Sequence, residues 1–468
     1  MKKIPSFCLL VLSTMIMAGQ SGNVPKIAIK NVNIMNTKEG TLQPDQTVII
    51  QNDKISEIGP TDSMEIKDGW KIIDGNDKYL IPGLWDSHVH LSYLGPEVLP
   101  VLVAHGITAV RDLGSILPEV HQWEKRIKDG QLLGPRIKAT GYNIESGEWL
   151  DAANKIINSS DLLRSYGIFE AAPRLRVENS QDAQRAIDSL IDLGSDIIKF
   201  RNLKRENFIA LAAYAEKKNI PLVGHSPKEI TLGEAAKAGL ASVEHSETIL
   251  NSFQGMDSLQ RLEEYQKIKE AGTMFSPTMI ADYKTKLSTG EEMLEAITDT
   301  IGEKDPRNRL ITPPLRKMWK FAYETRSLGS STDWGPFFEK SEKLLKESAQ
   351  SGVEFLAGTD LGVVLVYPGS SLHEEMILMQ EELEMSPGEV LKSATLNPAK
   401  FFGMEDILGT VEAEKYADLV ILSNNPLEDI KNVKEIDGVF LRGKFFSRTE
   451  LDQILKSSEE DISNEIKN

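Results

Sequence analysis

Alternating apolar and polar positions occur at both ends of the chain, while the middle shows a different pattern. In residues 26–59, stretches of alternating apolar and polar residues are separated by turn residues, and residues 409–446 show the same pattern. A period of two is typical of half-buried antiparallel strands. Because two β segments at opposite ends of a chain can close one sheet, we predict a small β-sandwich domain built from residues 21–80 and 405–448.

The middle, residues 81–404, contains short apolar runs that each end in a polar or glycine-rich turn and precede a helical stretch. The predicted strands are Leu84–His90, Ile107–Leu113, Pro135–Thr140, Asp196–Arg201, Ile220–His225, Ala241–His245, Thr273–Pro277 and Val353–Asp360. Eight β–α units predict a (β/α)8 TIM barrel. A doubly wound sheet is the alternative, less favoured because polar side chains end so many different strands.

Two insertions interrupt the predicted barrel, at about residues 141–181 and 281–350. The second contains an aromatic segment, residues 314–338, and two interpretations stay open: the aromatic side chains pack helices onto the barrel, or they form a lid over the site. Residues 449–468 are polar and charged, which predicts a frayed C-terminal tail.

The first residues predict a secretory signal peptide over residues 1–20. Lys2 and Lys3 precede an apolar run, Phe7–Ala18, which small and polar residues follow. The run is shorter than the ~20 residues that a membrane-spanning helix needs. We therefore expect a secreted or periplasmic protein with no membrane insertion after signal removal. Cys8, the only cysteine, lies in this signal, which excludes cysteine catalysis and cysteine metal ligands in the mature chain.

Composition narrows the class of partner. The 468 residues are 26% charged and 40% hydrophobic, an ordinary globular composition that excludes a mostly disordered chain. The formal net charge of −17 argues against a nucleic-acid partner, because phosphates would be repelled. We expect a small-molecule substrate, and a homo-oligomer stays open.

Four of the seven histidines stand at the ends of predicted strands. His88 and His90 are two residues apart, so both point to the same side of a strand. His225 and His245 end neighbouring strands, and Asp360 ends the eighth strand, which lies beside the first in a barrel. Imidazoles and a carboxylate suit zinc-like ions. The sequence therefore predicts a metal site.

Lys199 lies within the apolar fourth strand, where an unpaired lysine is unusual. Burial near cations lowers the pKa of the amine, which can then be neutral and add CO2 to give a carbamate. A snorkelling or acid-paired lysine is the alternative. Together with the histidines, Lys199 predicts a carbamate bridging two divalent ions; zinc is the default, with manganese, iron or cobalt as alternatives.

This order of ligands resembles the binuclear type of the amidohydrolase superfamily, in the branch with imidazolonepropionase-like and prolidase-like members. The resemblance covers nearly the whole chain after the signal and includes LIPGLWDSHVHL, GITAVRDLGS, GPRIKATG, GSDIIKF, PLVGHSP, ASVEHSE, LAGTD, ATLNPAKFFGM and ADLVILSNNPLEDI. Two positions depart from it. GYNIESGEWLD replaces the Gly-Gly-His-Gly segment of the prolidase-like members, which argues against a dipeptidase, and Glu414 replaces a usual glycine.

The resemblance implies a role for each ligand. One metal would be held by His88, His90 and Asp360, the other by His225 and His245, and carboxylated Lys199 and a hydroxide would bridge them. Asp360 would take the proton of the hydroxide and pass it to the leaving nitrogen. The expected reaction is hydrolysis of a C–N bond in an amide, a peptide or a cyclic amide.

Three other functions are weighed against this one. A lactone or phosphoester hydrolase would use the same site. A mononuclear deaminase would carry a glutamate three residues after His225, where Lys228 stands, with Glu229 one position later. A non-catalytic periplasmic binding protein would have no need of a complete ligand set.

Substrate contacts are predicted at Arg111, Tyr142, Arg201 and Tyr367, which lie at or after strand ends. An arginine suits bidentate contact with a carboxylate, although each residue has a rim or surface role as its alternative. The remaining histidines are predicted to be structural, at His105 and His373, or solvated, at His121.

Overall fold

The structure, a computed structural model, describes residues 26–167, 173–326 and 332–467. The predicted signal peptide lies outside these residues. The strands are β1 (Ile27–Asn36), β2 (Thr41–Gln51), β3 (Lys54–Pro60), β4 (Lys71–Asp74), β5 (Tyr79–Pro82), β6 (Leu84–Val89), β7 (Ile107–Asp112), β8 (Arg136–Ala139), β9 (Asn143–Ser146), β10 (Arg174–Val177), β11 (Ile198–Arg201), β12 (Leu222–Gly224), β13 (Leu240–Glu244), β14 (Met274–Ser276), β15 (Leu419–Leu422), β16 (Ile436–Leu441) and β17 (Lys444–Ser447).

The α-helices are α1 (Val98–Ala104), α2 (Leu117–Lys128), α3 (Gly147–Ile157), α4 (Asp161–Ser165), α5 (Ser180–Asp192), α6 (Arg205–Lys218), α7 (Leu232–Lys237), α8 (Ser246–Ser252), α9 (Ser258–Ala271), α10 (Met279–Leu287), α11 (Gly290–Thr298), α12 (Pro313–Arg326), α13 (Gly335–Gln350), α14 (Ser370–Glu381), α15 (Pro387–Ser393), α16 (Leu396–Phe401) and α17 (Arg448–Lys467). Short 3-10 helices cover Thr61–Ser63, Leu91–Tyr93, Pro306–Leu310 and Ile430–Lys434.

Both ends of the described chain contribute to one sheet of eight strands. Its order is β17-β16-β15-β5-β1-β2-β3, and β4 pairs in parallel with β1. Aliphatic side chains such as Ile29, Ile50 and Leu419 form a buried core for this sheet, as the alternating pattern predicts. The strands form a single sheet, so the predicted two-layer sandwich is not confirmed.

Parallel strands from the middle of the chain form two further sheets, with the orders β6-β7-β8 and β10-β9-β11-β12-β13-β14. The chain links the two sheets directly. Strand β8 pairs with β7 in the first sheet. After three residues the chain enters β9, which pairs with β11 in the second sheet. On the other side, single bridges join Phe355 to Phe275 and Leu361 to Val89. The prediction of a closed eight-stranded barrel is therefore confirmed only in part, as alternating strands and helices with parallel pairing.

The predicted eighth strand and the first insertion both differ from expectation. Residues 353–360 make isolated bridges and backbone hydrogen bonds rather than a ladder. Conversely, the first insertion contains β9 and β10, which pair with each other in parallel. The pattern concealed β9 because its buried positions include the polar residues Asn143 and Glu145.

The C-terminal tail is a helix, α17, so the prediction that it frays is wrong. Leu451 and Ile462 are fully buried, and the helix packs against α1, α12 and the 3-10 helix Pro306–Leu310. Ser447 and Glu450 cap its first turn with reciprocal hydrogen bonds. With the partly buried Ile454 and Leu455, these side chains give the helix an apolar face, and packing of such a face stabilises a helix in a protein. Among the described residues, no helix is both long and apolar enough to cross a membrane.

Candidate metal centre

The six predicted ligands converge at one edge of the parallel sheets. They lie on β6 (His88), just after it (His90), on β11 (Lys199), directly after β12 and β13 (His225 and His245), and at the end of the bridged segment 353–360 (Asp360). Because the carboxyl ends of parallel strands meet at the same edge, ligands as distant in sequence as His88 and Asp360 come together.

Asp360 joins the first two histidines. Its Oδ1 lies 2.9 Å from His90 Nε2 and 3.4 Å from His88 Nε2. One potential ligand atom from each of these three residues lies within 4.8 Å of the others. The three side chains are therefore spaced as the protein ligands of one ion would be.

The other two histidines extend this cluster. The ring centroid of His245 lies 4.9 Å from that of His225 and 4.7 Å from that of His88. Asp360 Oδ2 lies 3.8 Å from His245 Nδ1, so the carboxylate stands between the two histidine pairs. Lys199, which is 1% exposed, places its Nζ 3.0 Å from His88 Nε2.

Burial sets the protonation of this cluster. It lowers the pKa of His88 and His225 well below 6.5 and that of His245 to about 4. It also lowers the pKa of Lys199 to about 7. Burial alone would raise the pKa of Asp360, but the imidazoles of the surrounding histidines lower it well below its usual range. At neutral pH the site therefore offers neutral imidazoles and an ionised carboxylate.

Glu244, which the sequence did not single out, orients His88 through the ring nitrogen Nδ1. Its Oε2 accepts a hydrogen bond from His88 Nδ1 at 2.9 Å, and Arg111 Nη2 donates to both of its oxygens. Although burial alone would raise the pKa of Glu244, Arg111 and His88 lower it, so the ionised group can only accept. The Nδ1–H tautomer leaves the Nε2 lone pair, beside Asp360, as a donor for a metal ion.

Arg111, a predicted substrate contact, is instead buried among partners within the protein. Its side chain is 1% exposed and its nitrogens donate to Ser87, Ser242 and Glu244. The only sequence signal for this role was a charged residue inside an otherwise apolar strand, the same signal that singled out Lys199.

A second missed carboxylate, Asp86, ties β6 to the segment that carries Asp360. It accepts hydrogen bonds from the backbone N–H of His88 and from both the N–H and the hydroxyl of Thr359. Because one side chain holds the residues next to two ligands, the spacing between β6 and Asp360 is fixed without a strand ladder.

Five non-glycine residues at the site have a left-handed backbone. They are Asn202 (φ 54°), Glu229 (φ 64°), His245 (φ 71°), Thr278 (φ 49°) and Asp360 (φ 57°), and all five line the same cavity. Such conformations cost energy and concentrate where side chains must be aimed. His245 Nδ1 contacts Thr278 Oγ1 at 3.0 Å, so two of these residues support each other.

The ligand cluster opens into a cavity of about 830 Å³. Its walls include His225, His245, Asp360, Arg201, Trp149 of the first insertion, and Ala281, Asp282 and Thr285 of the second. Of the four predicted substrate contacts, this wall contains Arg201. Tyr367 is instead buried, with its hydroxyl donating to Asn308 Oδ1, and Tyr142 packs against the main core.

Two aromatic side chains of the second insertion, Trp319 and Phe338, pack in the interior. Trp319 is fully buried, with its ring centroid 5.3 Å from that of Tyr367, and Phe338 packs against Tyr283. His373 contacts the carbonyl of His105, in keeping with structural roles for both. The side chain of His121 is 43% exposed.

Comparison with known proteins identifies the family of the chain. The sequence model described as "Amidohydrolase family" matches residues 79–446. The chain belongs to the amidohydrolase family. The predicted resemblance is confirmed, and with it the prediction of a hydrolase acting on C–N bonds.

Individual amidohydrolases are similar to this one at low identity. Ochratoxinase from Aspergillus niger is 24% identical over 78% of this chain and 75% of its own length. Imidazolonepropionase from Phocaeicola vulgatus is 20% identical over 82% of this chain and 86% of its own. A crystal structure of a Xaa-Pro dipeptidase with bound methionine superposes with a TM-score of 0.67 and 23% identity, covering 90% of this chain and all of the other. This superposition establishes a shared fold.

Proposed function

We propose that this amidohydrolase is a binuclear metal-dependent hydrolase of amide or peptide bonds. The observation that carries the proposal is Asp360 standing between two histidine pairs, with a buried lysine beside them. We take this edge to be the mouth of a (β/α)8 barrel in which the segment 353–360, joined by single bridges, would stand in for the eighth strand.

The donor set fits divalent metal ions. Asp360 Oδ1 is buried, and its 2.9 Å contact with His90 Nε2 lacks hydrogen-bond geometry. A cation held between the two groups would offset the cost of burying this oxygen. His88 and His90 with Asp360 would hold one ion, and His225 and His245 the other. Zinc is the default metal for such neutral imidazoles and a carboxylate.

Two divalent ions bound there would lower the pKa of a shared water and polarise the substrate carbonyl. The remaining chemistry belongs to this chain. Asp360 is ionised at neutral pH and can accept the proton of the attacking water at a carboxylate oxygen. It then releases that proton to the leaving nitrogen, so the amide bond breaks into a carboxylic acid and an amine.

Lys199 would supply the bridging ligand as a carbamate. Its amine, with a pKa of about 7, is partly neutral at physiological pH and can add to CO2, forming an N–C bond and releasing one proton. The product replaces a cation that would repel metals by an anion that binds them. Its burial, with Nζ 3.0 Å from His88 Nε2, favours this role over a snorkelling lysine.

The family, by its name, and the Xaa-Pro dipeptidase, which acts on a peptide, support an amide or peptide as substrate. A hydrolysis screen of metal-loaded protein against N-acyl amino acids, dipeptides, lactones and phosphotriesters tests this choice. Export of the chain is part of the proposal, and N-terminal sequencing of protein from its native cell should find a start near residue 21 rather than Met1.

Lys199→Ala tests the binuclear centre. We expect wild type to bind close to two metals per chain when bicarbonate is supplied, and the variant to lose the second metal and nearly all activity. Propionate at high concentration should restore part of both, since it can occupy the vacated space. The matched control is Lys217→Ala, an exposed lysine on α6. A fully active Lys199→Ala enzyme, or wild type saturating at one metal, would contradict the proposal.

A further inference from the structure

The threonine that precedes α10 does not cap that helix. Thr278 stands at the N-cap position, but its backbone is left-handed, with φ 49° and ψ 46°, and within the described helix its hydroxyl accepts no N–H of the first turn. A threonine at an N-cap usually has an extended backbone and accepts such an N–H. Thr231 and Thr289 do so at the starts of α7 and α11. The first N–H groups of α10 therefore need another acceptor.

The hydroxyl of Thr278 contacts His245 instead. Its Oγ1 lies 3.0 Å from His245 Nδ1. The two residues follow the neighbouring parallel strands β13 and β14. The N–H of His245 donates to the carbonyl of Ser276 at 2.9 Å, and the next N–H, that of Ser246, donates to the carbonyl of Pro277 at 2.8 Å. These backbone bonds hold the turns after the two strands together, so Thr278 is placed to fix the imidazole.

A carboxyl group from a distant helix supplies the missing cap. Glu375 of α14 is fully buried. Its two oxygens accept hydrogen bonds from the N–H groups of Met279 at 3.1 Å and of Ile280 at 2.7 Å. These are the first two residues of α10, and the second of them is one whose N–H an N-cap side chain would otherwise bind. Glu375 thus does for α10 what Thr278 does not.

The two contacts of the α10 start depend on each other. A β-branched residue with positive φ is strained, and the conformation persists only where the surrounding structure imposes it. Because Glu375 holds the two N–H groups that follow Thr278, the threonine stays left-handed with its hydroxyl on His245. Without an acceptor on Glu375, the buried N–H of Ile280 would compete for that hydroxyl, since an unpaired buried N–H costs free energy.

We propose that Glu375 is a positioning residue for His245: by capping α10 in place of Thr278, it leaves the threonine hydroxyl to hold the imidazole. The inference rests on the proposed function, in which His245 is a ligand of the second metal. With a metal on Nε2, the other ring nitrogen carries the proton and donates to Thr278 Oγ1, which fixes the ring and makes it a better ligand. Glu375 acts on that metal without touching metal or substrate.

The test measures how tightly each of the two metals is held. Metal-loaded protein is equilibrated with graded concentrations of free Zn²⁺ in bicarbonate buffer, and bound metal is counted by elemental analysis. Thr278→Val removes the hydroxyl and should weaken the second metal by roughly 10- to 100-fold, the usual effect of losing such a supporting contact. Glu375→Gln keeps one acceptor oxygen and should weaken it by about 10-fold at most. The first metal should be held as in wild type.

Two further variants show whether both residues act through one contact. Thr278→Ser keeps the hydroxyl and should retain most of the affinity for the second metal. The double variant of Thr278→Val and Glu375→Gln should lose no more affinity than Thr278→Val alone, because the contact that Glu375 supports is already gone. Full additivity in the double variant would overturn the inference. Glu375→Asp, whose shorter side chain draws the carboxyl back, takes the place of Glu375→Gln if that variant does not fold.

Glu264→Gln is the matched control. Glu264 is also a buried glutamate that accepts a hydrogen bond, at 2.7 Å, from the N–H of Gly233 in the first turn of another helix, α7, and α7 carries none of the proposed ligands. The control should lower stability in urea without changing either metal affinity. Glu375→Gln binding both metals as tightly as wild type would overturn the inference and leave the binuclear centre intact. Wild type saturating at one metal would overturn the proposed function together with the inference.

Discussion

The small sheet and the carboxyl edge of the parallel sheets bury opposite kinds of residue. The interior of the small sheet consists of aliphatic and aromatic side chains such as Ile29, Ile50 and Phe440, and its strands pair in long ladders. The carboxyl edge of the parallel sheets instead buries His88, Lys199 and several carboxylates.

The small sheet stabilises the fold, whereas the carboxyl edge of the parallel sheets carries the chemically reactive groups at a cost in stability. Burying apolar surface stabilises a fold, whereas burying polar groups costs free energy unless they are paired. The left-handed residues of the cavity add to that cost. The small sheet and the apolar cores therefore offset the cost of the site, and substitutions in the two regions should have separable effects.

The largest effect is expected from Asp360→Asn. The amide keeps the shape of the carboxylate but cannot take a proton from water, so kcat should fall by about 10²–10⁴. Bound metal should fall less, because the four histidines and Lys199 remain. Steady-state kinetics and elemental analysis measure the two quantities.

The matched control is the same substitution in the other region. Asp437 lies on β16 of the small sheet and pairs with Lys78 at 3.2 Å in a solvent-exposed ion pair, which contributes about 0–1 kcal/mol. Asp437→Asn should leave kcat unchanged. Near-normal turnover of Asp360→Asn would refute its role as proton shuttle.

Ile50→Ala should produce the reverse result. Ile50 is 1% exposed in the core of the small sheet, and truncation of such a side chain lowers the free energy of unfolding by about 2–5 kcal/mol. The kcat per folded molecule should not change, because Ile50 is remote from the ligand cluster in the sheet order. Denaturant titration and active-site-normalised kinetics provide the readouts.

Ile72→Ala serves as its control, since Ile72 belongs to the same sheet but is 58% exposed; stability should change by no more than about 0.5 kcal/mol. A loss of kcat in Ile50→Ala comparable to that of Asp360→Asn would break the separation between the regions.

Glu375 should give the smallest effect, as a dependence of stability on pH. This buried carboxyl accepts hydrogen bonds from the backbone N–H groups of Met279 and Ile280, where α10 begins at the cavity wall. Burial raises its pKa from 4.5 to about 8. Between those values the folded protein keeps a proton that the unfolded chain has released, so stability contributed at low pH is lost as pH rises toward 8.

Glu375→Gln carries no titrating group and lacks this dependence. The difference in free energy of unfolding between the variant and wild type should shift in favour of the variant, by at most about 1.4 kcal/mol per pH unit, between pH 5 and 8. Urea titrations at several pH values measure this difference. A difference that stays constant with pH would show that Glu375 is ionised throughout.

Local patterns along the chain were sufficient to predict much of this protein. The period-two segments at both ends, seven of the eight middle strands and the family follow from apolar spacing and from short motifs such as the His-X-His pair. These properties depend on residues close in sequence, where side-chain direction is set by the strand itself. The convergence of the six proposed ligands follows in turn from strands being parallel.

Only the tertiary structure decided the roles of residues whose partners are distant in sequence. Arg111 and Arg201 look alike in sequence, each near a strand end, yet the first is buried and donates to Glu244, whereas the second lies beside Glu145 at the cavity wall. Likewise α17 is polar along its length but docks through Leu451 and Ile462. Hydrogen bonds and contacts between segments more than a hundred residues apart depend on how strands and helices pack, and no local pattern encodes that packing.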